Sequence, residues 1–183
     1  MMTTAEPMCA DPVDAVIAAF TRALRDAFQP DSECPPMGGG STDVRLFAGD
    51  GIPLAAWNAH ADGDDCASPF LWVRLIRRYR TQQFPTPVID TSPCTAPRAV
   101  AVEVGVGRCA VVDRSPSWED YDREAQTSID DGWRIELTLC RARTLITQVR
   151  PPLASAYGSD VIVPYGPEGG VVAMTGIAYV QID

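Results

Sequence analysis

Apolar residues recur at helical spacing near the start of the chain. Between Val13 and Phe28 they follow one another at intervals of three and four, which places them on one side of a helix. Asp11 is a suitable N-cap and Pro12 suits the first helical position, while Pro30 stops the pattern. A helix is therefore predicted over about residues 12–28.

A second helical pattern begins after Ser117, which can cap the helix with Asp120 three residues on, close to a capping box. The pattern continues to about Gln148, and Gly132 weakens it without breaking it. Its apolar stripe consists of Trp118, Tyr121, Ala125, Ile129, Trp133, Leu137 and Cys140. The carboxylate pairs Glu119-Asp120 and Asp130-Asp131 are expected on the wet face of this helix.

Alternating apolar and polar residues predict strands elsewhere. The clearest segments are Phe70–Thr81, Arg98–Asp113, Asp160–Tyr165 and Val171–Ile182. The last two flank a glycine-rich turn and read as a closing β-hairpin. Since helices and strands do not alternate regularly, we expect an α+β fold with two helices packed on a mainly antiparallel sheet.

The remaining segments are shorter or irregular. Val44–Phe47 is a possible short strand, and Ile52–Trp57 is either a second one or a turn. The acidic segment Ala61–Asp65 is predicted to be a flexible loop, and proline and glycine mark loops at about 30–43 and 85–97. At 183 residues with 46% hydrophobic content, residues 1–183 are expected to form a single domain.

The overall charge narrows the classes of partner. With a formal net charge of -9 and a pI near 4.5, the chain is a poor non-specific binder of nucleic acid or anionic membranes. No apolar run is long enough to span a bilayer, and no secretory signal is apparent. The six cysteines form no C-x-x-C pair. Their even number permits disulfides, although the lack of an export signal favours a reducing compartment and no chemical role for the thiols.

Candidate chemistry is sparse. His60 lies near Asp62, Asp64 and Asp65, which suggests either a small metal site or a solvated acidic loop, and the spacing favours the loop. A single histidine also restricts nucleophilic triads. Gly105-Val106-Gly107 follows a predicted strand, but a dinucleotide-binding fold needs a third glycine and then a helix. Because more strand pattern follows instead, a dinucleotide site is not expected. We therefore predict no enzyme activity, no cofactor and no metal.

One predicted strand carries the most informative surface pattern. Alternation places Phe70 and five further side chains on one face of it, with Arg77 opposite: Trp72, Arg74, Ile76, Arg78 and Arg80. This face could contact phosphate or DNA, pack on an acidic partner such as another copy of the chain, or be solvated. Because the chain is acidic and arginine is favoured in protein interfaces, we predict a subunit interface, with Arg74 and Arg78 helping to build it.

Four segments carry a resemblance to a known class of protein. They are Phe70–Arg80, Arg98–Gly105, Asp130–Cys140 and Pro164–Gly170 with the strand that follows. Together they resemble the head-to-tail connector proteins of long-tailed phages that infect actinobacteria, over roughly residues 65–183. The order of elements is similar to that of tail terminator proteins, small α+β proteins that form a hexameric ring on the finished tail tube and join it to the head.

The resemblance implies a virion structural protein of the neck, assembled in the host cytoplasm. Its partners would be copies of itself, the major tail protein and head-closure or connector proteins, with DNA as passing cargo only. No catalytic residue is implied. The loops at 30–43 and 85–97 depart from the compact family pattern. Another neck protein, of the head-closure or adaptor type, and a small acidic protein-binding module therefore remain alternatives.

Overall fold

The computed structural model describes residues 11–64, 66–89, 95–112 and 115–182. In these residues it contains three helices and a six-stranded open sheet, which is an α+β fold. The helices are α1 (Pro12–Ala27), α2 (Leu54–Asp64) and α3 (Trp118–Thr147). The strands are β1 (Val44–Ala48), β2 (Phe70–Gln83), β3 (Thr86–Val88), β4 (Arg98–Cys109), β5 (Ala156–Glu168) and β6 (Val171–Ile182).

The sheet has the strand order β1-β2-β4-β6-β5, and β3 pairs with the end of β2. All neighbours are antiparallel except β1 and β2, which are parallel. The strand β4 lies at the centre and pairs along its full length with β6. The predicted fold class and the closing β5–β6 hairpin are confirmed, whereas β4 ends at Cys109, earlier than predicted.

The core lies between one face of the sheet and the antiparallel helices α1 and α3. Both helices begin as the sequence predicts: Asp11 accepts a hydrogen bond from the Val13 amide, and Ser117 forms a capping box with Asp120. On the sheet side, alternate residues of β4 and β6 are buried, including Val100, Val102, Val104, Val106, Ala178 and Val180. We call this the helix face of the sheet, and the other the outer face.

The helix α2 covers part of the outer face, where Trp57 contacts Phe70 edge-on. The prediction of a strand or turn over Ile52–Trp57 is wrong, as is that of a loop over Ala61–Asp64; Asp65 lies outside the described residues. Pro53 argues against a central position in a strand. It immediately precedes the helix, and its carbonyl accepts from the Ala56 amide, a place where proline removes no needed donor.

The predicted loops also differ from the structure in one place. The segment 30–43 contains turns and no strand or helix, as expected. The segment 85–97 contains the short strand β3, and its residues 90–94 lie outside the described part of the chain. The strand β3 pairs antiparallel with the end of β2 around a two-residue turn. It therefore adds a short strand to the sheet beside the end of β2.

Candidate interaction surfaces

Trp72 and Arg74 lie on the outer face and are engaged within the chain. The Trp72 indole Nε1 donates to Glu103 Oε1 at 2.9 Å, and Arg74 donates to both carboxylate oxygens of Glu103 at 2.9 and 2.7 Å. The side chains of Arg74 and Glu103 are only 12% and 6% exposed. The hydrogen bond to Glu103, against the opposing effect of burial, raises the pKa of Arg74.

A β-bulge in β2 separates the arginines that the sequence placed together. The register shifts between Leu75 and Arg77, so that Arg74 pairs with Glu103 whereas Arg78 pairs with Val100. Glu103 and Val100 are three residues apart on β4, so their side chains point to opposite faces of the sheet, and each arginine shares the face of the residue it pairs with. Arg74 therefore lies on the outer face and Arg78 on the helix face, and the predicted common face is wrong.

The same register shift determines on which face the other predicted interface residues lie. Arg78 forms an ion pair with Asp11, the N-cap of α1. Arg80 lies on the helix face beside Val100 and donates to the Ala96 carbonyl at 2.7 Å. Ile76 sits at the bulge and is half-buried, while Arg77 stacks over the Tyr79 ring on the outer face. The interface role of Trp72, Arg74, Ile76, Arg78 and Arg80 stays a prediction, but it no longer rests on a shared face.

The apolar stripe of α3 is on the solvent side of the helix. Trp118, Ile129 and Trp133 are 83%, 73% and 52% exposed, and Tyr121 and Leu137 are exposed as well. Cys140 is also exposed. Large apolar side chains concentrated on one exposed helix face are typical of surfaces that bind another molecule. We call these residues, from Trp118 to Cys140, the α3 ridge.

The buried side of α3 carries charges that the sequence assigned to solvent. Arg108 donates to both oxygens of Asp131 at 2.6 and 2.8 Å, and Arg134 donates to Asp130 at 2.8 Å. Each carboxylate of the adjacent pair thus has its own arginine. Burial raises the pKa of Asp131, and the hydrogen bond from Arg108 acts in the opposite direction. The prediction that Asp130-Asp131 forms a wet face is wrong.

The same two arginines hold the 30–43 loop against the helix. Arg108 donates to the carbonyls of Gly38 and Gly39, and Arg134 donates to those of Cys34 and Pro35 at 3.1 and 3.0 Å. Arg134 also donates to the Ala27 carbonyl at the end of α1, at 2.8 Å. Since each guanidinium satisfies several acceptors at once, these contacts fix both the loop and the rotation of α3.

A second apolar surface lies on the strand β5, at the edge of the sheet. Val161 is 69% exposed, Tyr165 is 58% exposed and Val163 is 38% exposed. Pro164 lies between the latter two and removes one backbone donor from the strand, a feature of edge strands that limits uncontrolled pairing. A groove lined by Cys140 and Arg143 of α3 and by Val161 of β5 lies between this edge and the end of the ridge, so the two surfaces meet there.

His60 is a packed residue of α2 and not part of a loop. Its ring lies 5.2 Å from that of Phe70 and 5.9 Å from that of Trp57, and its Nε2 is 3.0 Å from the Ser68 carbonyl oxygen. Among the described residues, no three histidine, cysteine or acidic side chains are placed so that they could hold a metal ion. The alternative of a metal site around His60 thus has no support in the described part of the chain.

Two cysteines form a bond that the sequence did not indicate. Cys66, just after α2, is disulfide-bonded to Cys109 at the end of β4. The expectation that no thiol has a chemical role is therefore wrong for this pair. Cys34 and Cys140 are free and exposed. No short spacing motif could have revealed the pair, because 43 positions separate its members and only the packing of α2 on the sheet brings them together.

Comparisons with known proteins add no assignment. No protein-family model matches the chain, and no curated protein matches it. Within the described ranges, none of the helices has the length and apolar character needed to cross a membrane.

Proposed function

We propose that this protein is a structural subunit of the head-to-tail connector of a long-tailed phage, of the tail terminator type. The observation that carries the structural-subunit part is the exposure of large apolar side chains on two different elements, the α3 ridge and the β5 edge. A ring subunit needs two different surfaces, because each copy presents one to the preceding copy and another to the next. The resemblance of residues 65–183 supplies the finer assignment.

Charge supports the same proposal. A formal net charge of -9 disfavours retention of DNA, which suits a subunit of a channel through which DNA passes as cargo. In addition, the deepest charge pairs are already neutralised within the chain, as Arg74 is by Glu103 and Arg108 is by Asp131. They contribute to the fold, which leaves the apolar surfaces to make the contacts with other proteins.

The test is the mass of the purified chain in solution, alone and with the major tail protein assembled into tubes, measured by light scattering. A ring of about six copies, formed alone or only on tubes, is expected for this proposal. Val161→Asp should abolish ring formation while leaving the circular dichroism spectrum unchanged, since this side chain is exposed. Asp62→Ala, on the exposed surface of α2, is the matched control.

A chain that forms no ring and does not bind tail tubes would contradict the proposal. Binding to a head-closure or connector protein without tail tubes would move the chain to another position in the neck. Binding to neither would favour the alternative of an acidic protein-binding module.

A further inference from the structure

The helix α2, which connects the parallel strands β1 and β2, is packed less deeply than the other two helices. None of its residues 54–63 is buried, whereas α1 buries eight side chains and α3 buries seven. With 11 residues, α2 is also short, and isolated helices of fewer than about 12–15 residues are marginal in water. The position of α2 therefore depends on the contacts that tie it to the sheet.

Trp57 and His60 pack α2 on the outer face of the sheet. The Trp57 ring meets Phe70 edge-on, with ring centroids 5.9 Å apart, and a Cβ added at Gly107 would lie 3.2 Å from the indole. The His60 ring lies 5.2 Å from that of Phe70. Beneath them, Phe70 and Trp72 are only 4% and 5% exposed, and we call these two rings the aromatic floor.

The disulfide adds a covalent attachment just after the end of α2. Cys66, two positions after Asp64, is bonded to Cys109 at the end of the central strand β4. Cys66 has a φ of 61°, and no other described residue apart from glycines has a positive φ. A left-handed conformation is unfavourable for such a residue and persists where the surrounding structure imposes it. The backbone at Cys66 is therefore held in place and is not relaxed.

At the other end of α2 the chain has a place to bend. The Gly49 amide donates to the Leu75 carbonyl at 3.1 Å, which anchors this residue to β2. Gly49 has a φ of 126°, and a Cβ at Gly49 or Gly51 would meet nothing within 4 Å. Glycine in open space absorbs changes of backbone angle readily, so the segment between Gly49 and Leu54 can act as a hinge.

The disulfide is also accessible to a reductant. Cys66 is exposed, and both half-cystines line a cavity of about 620 Å³ between the end of β4 and the start of α3. Attack by a thiol needs such access to a sulfur atom. The charged residues along the cavity are of both signs: Arg108, Arg123, Asp120 and Glu124. They therefore select neither an anionic nor a cationic reductant.

From these features we propose that the Cys66–Cys109 bond is a redox latch, which holds α2 closed over the aromatic floor when oxidised and lets α2 swing away when reduced. One thiolate of a dithiol reductant attacks Cys66 Sγ, and Cys109 leaves as a thiolate that takes up a proton. The second thiol of the reductant then attacks the mixed disulfide and releases Cys66. The reductant gives up two electrons and becomes a disulfide.

The latch gives the outer face two states. Disulfides are reduced in the cytosol and persist in oxidising surroundings, so α2 is open in the first compartment and closed in the second. Opening uncovers Phe70 and the side of Trp57 that packs on it. The state of the bond thus controls how much aromatic surface the outer face offers to other molecules.

The first test is hydrogen exchange of the full chain, measured by mass spectrometry with and without dithiothreitol. The amides of α2 should exchange at least about tenfold faster in the reduced chain than in the oxidised chain. After reduction they should come within about tenfold of the rates of an unfolded peptide, while the amides of α1 stay at least about a hundredfold slower than that limit.

Two double variants control for other effects of the reductant. Cys66→Ser/Cys109→Ser should show the open α2 without dithiothreitol. Cys34→Ser/Cys140→Ser, which leaves the latch intact, should respond to dithiothreitol as the unchanged chain does.

A second test uses the reciprocity of coupled equilibria. If the packing of α2 favours the bond, a substitution that weakens the packing must favour reduction. Trp57→Ala should raise the equilibrium constant for reduction by dithiothreitol about tenfold, which corresponds to roughly 30 mV. Leu54→Ala, an apolar truncation on the same helix at a side chain that is 72% exposed, should leave that constant unchanged.

Three results would overturn the latch. They are exchange of the α2 amides at the same rate in both redox states, loss of protection in α1 to the same level as in α2, and an equilibrium constant for reduction that Trp57→Ala does not change. The second result would mean that the bond stabilises the whole fold and not the position of one helix. The latch does not depend on the phage assignment, and these measurements use the chain without tail proteins, so their outcome is independent of the ring test.

Discussion

Arg108 on β4 and Asp131 on α3 form a bidentate ion pair in which Nε and Nη2 donate to the two carboxylate oxygens at 2.6 and 2.8 Å. The side chains are 11% and 5% exposed. Because the guanidinium also binds the carbonyls of Gly38 and Gly39, the pair joins the sheet, the long helix and the 30–43 loop at one point. This junction sets which face of α3 remains in solvent.

Removing the carboxylate from this junction should be costly. We expect Asp131→Ala to lower the free energy of unfolding by about 3–5 kcal/mol, since it leaves a buried guanidinium without its counter-charge. Urea unfolding followed by circular dichroism measures the change. Limited proteolysis should also show faster cleavage in the 30–43 loop. Asp62→Ala on exposed α2 is the control, and equal stabilities of the two variants would contradict the role assigned to the pair.

The same junction explains where prediction from the sequence succeeded and where it failed. The apolar stripe of α1 and the alternation of β4 and β6 predicted the buried faces correctly, because their partners are apolar and packing follows hydrophobicity. For α3 the apolar stripe was found as a pattern, but its opposite face is buried. Asp131 can be buried because it pairs with an arginine on β4, and Arg134 because it donates to carbonyls of the adjacent loop and of α1. The periodicity of the sequence does not reveal these partners.

The predicted interface on β2 failed for a different reason. Strict alternation places Trp72, Arg74 and Arg78 on one face, and a single bulge after Leu75 reverses the parity. No residue in this stretch has the turn chemistry that announces a bulge. Similarly, α2 has little apolar periodicity, and the Cys66–Cys109 bond depends on tertiary packing. These features depend on contacts between segments that are distant in the sequence, so the sequence pattern alone does not predict them.

We predict that no residue with a Cβ can replace Gly105 without displacing the neighbouring Trp72 ring. The Trp72 ring lies flat against this glycine, and a Cβ there would overlap the indole. Gly105→Ala should therefore displace Trp72 from Glu103 and cost about 1–3 kcal/mol or more. Tryptophan fluorescence and urea unfolding measure the two effects. Gly63→Ala is the control, since a Cβ there meets nothing within 4 Å. Unchanged fluorescence in Gly105→Ala would show that the ring is not confined in this way.

Reduction of the Cys66–Cys109 bond should destabilise the chain. The bond closes a segment of 43 positions, and loop-closure entropy for that length corresponds to about 4 kcal/mol as an upper value. We expect the urea midpoint to fall when a reductant is added, and Cys66→Ser/Cys109→Ser to show the lower midpoint in both conditions. Cys34→Ser/Cys140→Ser, which removes two free exposed thiols of the described residues, is the matched control. A midpoint independent of reductant would mean that the bond does not restrict the unfolded chain.

The ion pair between Arg78 and the helix cap Asp11 should make stability depend on pH in the acid range. The hydrogen bond from Arg78, followed by that from the Val13 amide, lowers the pKa of Asp11 below its usual 3.8. A carboxylate whose pKa is lower in the folded state stabilises the fold above its unfolded pKa, and this contribution is lost as pH falls through the folded value. The contribution is therefore present at neutral pH and absent in strong acid.

Asp11→Asn isolates the charge, because asparagine caps a helix about as well as aspartate. At neutral pH we expect it to cost up to about 1 kcal/mol, as for a solvent-exposed pair. In a double-mutant cycle with Arg78→Gln, the coupling should be measurable at neutral pH and should vanish well below pH 3.8. Asp11→Ala should cost about 1 kcal/mol more at every pH through loss of the cap. A coupling that persists in strong acid would show that the two side chains interact through something other than the charge on Asp11.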